Sequence, residues 1–212
     1  VERSGEDLAA ILYTSGTTGR SKGAMLSHAA LASNSETLRQ YWKFTSEDVL
    51  IHALPIFHTH GLFVATNVSL MAGSSCIFML RFDQSQIVDA MPKATVLMGV
   101  PTFYVRLLNE KKLKQAAENM RLFVSGSAPL LSETHRHWQE ITGHNILERY
   151  GMTETNMNTS NPYDGERRPG TVGFPLPGVE LKVREPETGL DLKTGKIGVI
   201  EVRGSNLFKG CL

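Results

Sequence analysis

Surplus charge of either sign is missing from this 212-residue chain: 22 Lys and Arg stand against 21 Asp and Glu, a formal net charge of +1. Without a basic excess there is no electrostatic footprint for nucleic acid or an anionic membrane surface, and neither is expected as a partner. Cysteine is nearly absent. Cys76 and Cys211 lie far apart with no CxxC spacing, which excludes a disulfide scaffold and a thiolate zinc site and fits a reducing compartment, the cytoplasm or, in a eukaryote, the mitochondrial matrix. Proline is sparse, at 9, while hydrophobic residues make up 41%, so the composition is neither disordered nor fibrous. A chain of this length buries about 70% of its unfolded surface, enough for a continuous core.

Long apolar runs are lacking too. Residues 49–80 contain no Asp, Glu, Lys or Arg, but Pro55, histidines, Asn67 and the Gly73-Ser74-Ser75 turn divide them into pieces shorter than the ~20 residues a membrane span needs. No membrane span is expected, and no basic segment followed by an apolar stretch near the start suggests a signal peptide. The histidines include no HExxH spacing, which removes the metalloprotease reading. The chain opens at Val1 without an initiator Met and stops after FKGCL, and it is expected to be a segment of a longer protein.

Short apolar runs alternate with helix-like stretches. Residues 8–13, 49–54, 75–79, 95–99 and 121–125 read as strands buried on both faces, and residues 27–42, 61–72, 83–91, 101–109 and 132–142 as helices between them. Ser27, Pro101 and Ser132 are helix-start signals. Repeated strand–helix units predict an α/β fold, a mostly parallel doubly wound sheet with flanking helices. After about residue 170 alternation takes over, as in VELKV (179–183) and IGVIEV (197–202), predicting antiparallel strands. The expected organisation is an α/β part over 1–169 and the start of a β-rich subdomain over 170–212.

Three stretches carry chemistry. YTSGTTGRSKG (13–23) follows the first strand candidate; its glycines bring backbone N–H groups close to a ligand, its hydroxyls donate, and Arg20 and Lys22 supply positive charge, a composition suited to polyphosphate. It is not a Walker A loop, because Ser21 precedes Lys22 and Gly23 follows it. In YGMTE (150–154) a ring beside a glycine can stack on a base, and a hydroxyl and a carboxylate can meet a phosphate and its Mg²⁺. SGSAP (125–129) ends a strand candidate in small residues, and ligands in open α/β sheets bind outside the carboxyl ends of the strands. The three are expected to converge on one edge.

YTSGTTGRSKG, PIFHTHG (55–61), SGSAP and YGMTE, in this order and spacing, resemble the adenylate-forming superfamily of acyl-CoA synthetases, luciferases and peptide-synthetase adenylation domains. The resemblance covers essentially the whole chain. Within the superfamily, residues 148–179, ERYGMTETNMNTSNPYDGERRPGTVGFPLPGV, most resemble malonyl-CoA synthetases. The resemblance implies an ATP-dependent acid:CoA ligase: a carboxylate attacks the α-phosphate of ATP to give an acyl-adenylate and pyrophosphate, and coenzyme A then displaces AMP.

Carried over onto matching positions, Thr14, Ser15, Gly16, Thr17, Thr18, Gly19 and Lys22 handle the β- and γ-phosphates. Gly126, Ser127 and Ala128 line the adenine, Tyr150 stacks on it, and Gly151 and Met152 belong to the same nucleotide segment. Thr153 contacts phosphate, Glu154 holds Mg²⁺, and His60 stands at the acyl pocket with Ser125 also on the substrate side; His58 is assigned to structure. Thr153, Glu154, Lys22 and His60 form the expected catalytic set. Arg106 and Arg149 are expected to bind the second carboxylate of a small diacid, malonate or methylmalonate, because a buried guanidinium needs an anionic partner. The alternative for either arginine is a surface position or an internal acid such as Glu148. The superfamily's ribose-binding Asp, hinge and lysine-bearing C-terminal domain are absent from this sequence. Two other readings stand beside the ligase: an adenylation domain that loads an amino or aryl acid onto a carrier, and a noncatalytic nucleotide-binding segment.

Overall fold

The computed structural model describes residues 1–14 and 21–212; Ser15, Gly16, Thr17, Thr18, Gly19 and Arg20 of the first motif lie outside the described residues. The chain begins with an antiparallel hairpin of β1 (Leu8–Thr14) and β2 (Lys22–Ser27), followed by helix α1 (His28–Tyr41). Strand β3 (Val49–His52) leads through a π-helical stretch, His60–Thr66, into α2 (Asn67–Ala72) and β4 (Ser75–Phe78). Then come α3 (Gln84–Ala90), β5 (Val96–Gly99), α4 (Pro101–Leu107), α5 (Leu113–Ala116), β6 (Leu122–Ser125) and α6 (Ser132–Thr142). Strands β7 (Leu147–Met152), β8 (Asn156–Ser160), β9 (Phe174–Pro175), β10 (Val179–Arg184) and β11 (Val199–Gly204) complete the order.

One seven-stranded sheet runs β4-β3-β5-β6-β7-β8-β9. Its first five strands are parallel, and β8 and β9 extend it antiparallel. This is the α/β architecture expected from the alternation of short apolar runs and helices. Every residue of β5 and β6 is buried, which is why these strands read as unbroken apolar runs. The local signals act as chemistry predicts: the Ser27 hydroxyl accepts from the Ala30 N–H at 3.2 Å, the Asp83 carboxylate accepts from the Gln86 N–H at 3.0 Å, and Pro101 occupies the first turn of α4. Helix α6 is capped at Leu131, with no side-chain bond, rather than at Ser132, and ends on Gly143 in the left-handed region. Trp138, Tyr104 and Phe123 meet edge to face at ring separations of 4.9 and 5.0 Å and anchor the helices on the sheet.

Three expectations change. The first strand does not enter the parallel sheet; it pairs antiparallel with residues 22–27, and its side chains alternate between exposed and half-buried. An apolar run alone does not distinguish a doubly buried strand from a hairpin strand with one covered face. YGMTE, expected as one of three converging loops, is largely strand: Tyr150, Gly151 and Met152 belong to β7, with an irregular register at Tyr150/Gly151. Gly151 permits this, because a Cβ there would collide with the carbonyl oxygen of Asn156 on β8. The helix expected over 61–72 is interrupted, π-helical to Thr66 and α-helical beyond.

Strand β9 hydrogen-bonds to β8, so the main sheet draws on residues past 170, and β10 and β11 form a separate hairpin. No helix among the described residues is long and apolar enough to cross a membrane. Near the starts of β3, β5 and β6, Asp48 takes both Nε and Nη2 of Arg121 at 2.7 Å, and also accepts from the Thr95 hydroxyl at 2.7 Å and the Thr45 N–H at 2.9 Å. This clamp ties the start of the sheet together.

Candidate active site

At the carboxyl ends of the parallel strands, the segments after β3, β5 and β6 meet the β7–β8 hairpin around two adjoining cavities. The larger, about 470 Å³, is lined by Leu54, His60, Phe103, Met152, Thr153 and Met157 among others. The smaller, about 290 Å³, is lined by Ser125, Ala128, Leu130, Glu148, Tyr150 and Val172 among others. Ser127, Arg149 and Gly151 line both. SGSAP and YGMTE therefore converge as expected, on a common wall.

His60 opens the π-helical stretch. Gly61 has to be glycine, since a Cβ would run into the carbonyl oxygen of Pro55. The wider turn leaves the Gly61 carbonyl with two partners, the Thr66 hydroxyl at 2.9 Å and His52 Nε2 at 3.0 Å, which keeps a buried polar group satisfied. His60 is itself buried, with Nδ1 3.2 Å from Ser127 Oγ and Nε2 without a partner. Burial, the Arg149 charge and His52 together hold its pKa well below the ordinary histidine value, so at neutral pH the ring is uncharged.

Arg149 is the unusual group. Only 4% of it is exposed, and Nε and Nη2 are sealed from solvent with no partner. Its neighbour Glu148 does not neutralise it. Successive strand residues point to opposite faces, and the Glu148 carboxylate is taken by His135 Nδ1 at 3.2 Å and by the Gly170 N–H at 3.1 Å. Burial lowers the guanidinium to about 10, with Tyr104 acting weakly in the other direction. It still carries its charge at pH 7, a cation in a cavity wall without an anion among the described residues.

The guanidinium lies against Gly126. A Cβ at 126 would stand 2.5 Å from Arg149 Nε and 2.8 Å from Nη1, so Gly126→Ala is expected to push the guanidinium off its seat. Fluorescence or calorimetric titration with a small dicarboxylate should show affinity reduced by at least tenfold, and wild-type affinity would show that the guanidinium keeps its seat.

The remaining expected residues distribute unevenly. Thr153 is half-buried in the larger cavity, Tyr150 and Ala128 line the smaller, and the buried Ser125 hydroxyl has no partner. Thr14 and Lys22 stand opposite each other where β1 and β2 meet; neither lines a cavity. The Glu154 carboxylate, half-buried beside Thr153, has no hydrogen-bond or ion-pair partner among the described residues. No cluster of three His, Cys, Asp or Glu among them could cage a metal. One free carboxylate fits a magnesium ion that takes most of its ligands from phosphates and water.

Two assignments are corrected. Arg106 is exposed on α4: Phe103, Tyr104 and Leu107 form the buried arc, and the Arg106 guanidinium sits 5.6 Å from the Phe82 ring, away from both cavities. His58 is exposed and lines the larger cavity rather than serving the core. Thr59 and Phe103, both lining that cavity, were not singled out from the sequence. Thr59 lay inside the PIFHTHG motif between two histidines, and Phe103 could have been found from the helical spacing that joins it to Leu107.

The AMP-binding enzyme family profile matches residues 1–212. The chain belongs to the AMP-binding enzyme family. This family member is similar to the crystal structure of ATP-bound MatB from Rhodopseudomonas palustris, with 67% identity and a TM-score of 0.97 over 100% of this chain and 42% of that one. A malonyl-CoA ligase in a ternary product complex with methylmalonyl-CoA and AMP matches at 44% identity and TM-score 0.90, covering 97% of this chain and 45% of the other. The malonate–CoA ligase of Arabidopsis thaliana is 41% identical over 225 residues, 96% of this chain and 36% of that protein. The chain thus spans well under half the length of these relatives.

Proposed function

We propose that this chain is part of an ATP-dependent, AMP-forming acid:CoA ligase that converts malonate or methylmalonate into its CoA thioester. The observation that carries the reading is Arg149, a buried cation with no anion of its own among the described residues, in the wall shared by two cavities. A monocarboxylic acid needs no such group. A diacid does: one carboxylate reacts while the other pairs with the guanidinium through a charge-assisted hydrogen bond. Supporting the choice are the relatives bearing malonate–CoA ligase names. An amino-acid loader would need an acid for the substrate ammonium, and the larger cavity has none in its lining.

In this reading the smaller cavity takes the adenine between Tyr150 and the 126–128 segment, while Thr14, Lys22 and residues 15–19 receive the outer phosphates. Thr153 hydrogen-bonds phosphate, and Glu154 would hold Mg²⁺. Bound Mg²⁺ would supply charge neutralisation on the polyphosphate. The malonate oxygen attacks the α-phosphorus, the bond to the β-phosphate oxygen breaks, and pyrophosphate leaves with the electron pair; the CoA sulfur then attacks the acyl carbon, its proton passing to solvent, and the acyl C–O bond breaks so that AMP leaves with that electron pair. Neutral His60 adds no charge, so it can lie beside the Arg149 guanidinium and still donate an N–H to the reacting carboxylate. Residues 1–169 would form the nucleotide- and acyl-binding part, and 170–212 the start of a β-rich subdomain. Two exposed free thiols, Cys76 and Cys211, fit work in a reducing compartment such as the cytoplasm.

The test is pyrophosphate release by the full-length polypeptide with ATP, Mg²⁺ and CoA over a panel of acids. Malonate and methylmalonate are expected to exceed acetate and octanoate in kcat/KM by at least a hundredfold. Octanoate or an amino acid performing as well as malonate would overturn the diacid reading.

A further inference from the structure

Ser127 combines three features that lining an adenine does not explain. Its backbone is left-handed, with φ +69°, one of only three non-glycine residues so placed among those described. A side chain in that region is strained, and such strain persists where the surroundings demand a particular placement. Its hydroxyl has one hydrogen-bond partner, His60 Nδ1 at 3.2 Å. That histidine is buried, uncharged and otherwise unpaired at Nε2.

We infer that Ser127 is a positioning residue for His60: its hydroxyl donates to Nδ1, which fixes the ring and leaves Nε2–H as the group offered to the acyl carboxylate. The inference rests on the ligase reading above and deepens it. A neutral imidazole has one N–H and one lone pair, and the hydrogen bond at one nitrogen decides which the other presents. A lone pair at Nε2 would repel an incoming carboxylate, whereas an N–H attracts it. Arg149 binds the far carboxylate and His60 the near one, so a small rotation of the imidazole would misplace the attacking oxygen, and errors of this size are costly in oriented reactions. The left-handed turn sets the direction of the Ser127 side chain, and Gly126, immediately before it, makes room for the guanidinium. One two-residue turn thereby places both acyl-binding side chains.

The experiment compares full-length wild type with Ser127→Ala and Ser127→Gly by imidazole ¹⁵N NMR and by pyrophosphate-release kinetics, with His60→Gln used to assign the His60 resonances. Wild type is expected to show a single His60 tautomer with the proton on Nε2, and both variants a mixture. Both variants are expected to lower kcat/KM for malonate by at least tenfold at saturating ATP. Glycine relieves the backbone strain and alanine does not, so equal losses identify the hydroxyl. Near-wild-type activity in Ser127→Gly alone, or a His60 spectrum unchanged by either variant, would overturn the positioning role. A changed spectrum in a protein whose wild type releases no pyrophosphate with any acid would retain the Ser127–His60 coupling, but overturn the ligase reading and the role assigned to Nε2 with it.

Discussion

Arg149→Ala in the full-length protein is expected to raise the KM for malonate by roughly thirtyfold to a few thousandfold, which corresponds to ~2–5 kcal/mol for removing one partner of a desolvated charge pair. The range is that of a desolvated pair because only 4% of Arg149 is exposed. Arg149→Lys should recover little, since a compact, strongly hydrated ammonium is costlier to bury than a guanidinium and places its charge at a different point in the wall. The folded protein should respond in the opposite sense. Without ligand the guanidinium is buried and uncompensated, a destabilising arrangement, so Arg149→Met is expected to raise the thermal midpoint while abolishing selectivity for the diacid. Greater stability with lost malonate use identifies a residue kept for binding. Arg106→Ala, on the exposed side of α4, should leave malonate kinetics at wild-type values. Wild-type malonate kinetics in Arg149→Ala and Arg149→Met would remove the diacid pocket and leave only the broader acid:CoA ligase reading.

Much of this arrangement was legible in the sequence, and the errors have identifiable physical causes. The strands over 49–54, 75–79, 95–99 and 121–125 were found to within two residues at each end, because parallel strands in the main sheet leave short apolar runs between helix signals. The order of the four motifs indicated which loops meet, and the Ser127, Arg149 and Gly151 wall bears this out for two of them. Partner choice was not legible. Whether residues 8–13 pair with a parallel neighbour or with residues 22–27 depends on long-range contacts, and local pattern is silent on it. Arg106 and Arg149 looked alike as arginines beside apolar residues; only the arc of α4 that faces the core separated them. The vacancy that seats Arg149 is a missing Cβ at Gly126, in a motif whose glycine the sequence suggested only for nucleotide contact. Left-handed Ser127 had no signal at all, since serine is not a residue that marks positive φ.

The largest expected loss of stability lies at the opposite end of the sheet. Asp48 and Arg121 form a two-point ion pair with both contacts at 2.7 Å, and their side chains are 4% and 24% exposed. Arg121 also donates to the carbonyls of Trp42 and Lys43 at 3.1 and 3.2 Å, and its guanidinium lies 5.2 Å from the Phe44 and Tyr163 rings. Removing either charge strands the other, so Asp48→Asn or Arg121→Ala is expected to cost about 3 kcal/mol, the low end for breaking a buried pair because Arg121 keeps some contact with water. By contrast Lys182→Ala, which breaks an exposed pair with Asp191 at 3.0 Å, should leave the urea midpoint almost unchanged, because water and salt screen such a pair. The pH dependence follows from Asp48. Burial raises its pKa, but the Arg121 hydrogen bonds, the Thr45 N–H and the Thr95 hydroxyl outweigh burial and hold it below the ordinary carboxylate value. A group with a depressed folded pKa contributes its full stabilisation above the unfolded value, near 3.9, and loses it as pH falls through the folded one. Urea midpoints measured from pH 7 down to pH 2.5 should therefore fall more steeply below pH 4 in wild type than in Asp48→Asn, and the two curves should approach each other in acid. Parallel curves across that range would show that Asp48 is not ionised in the folded protein, and the clamp would then owe its strength to neutral hydrogen bonds.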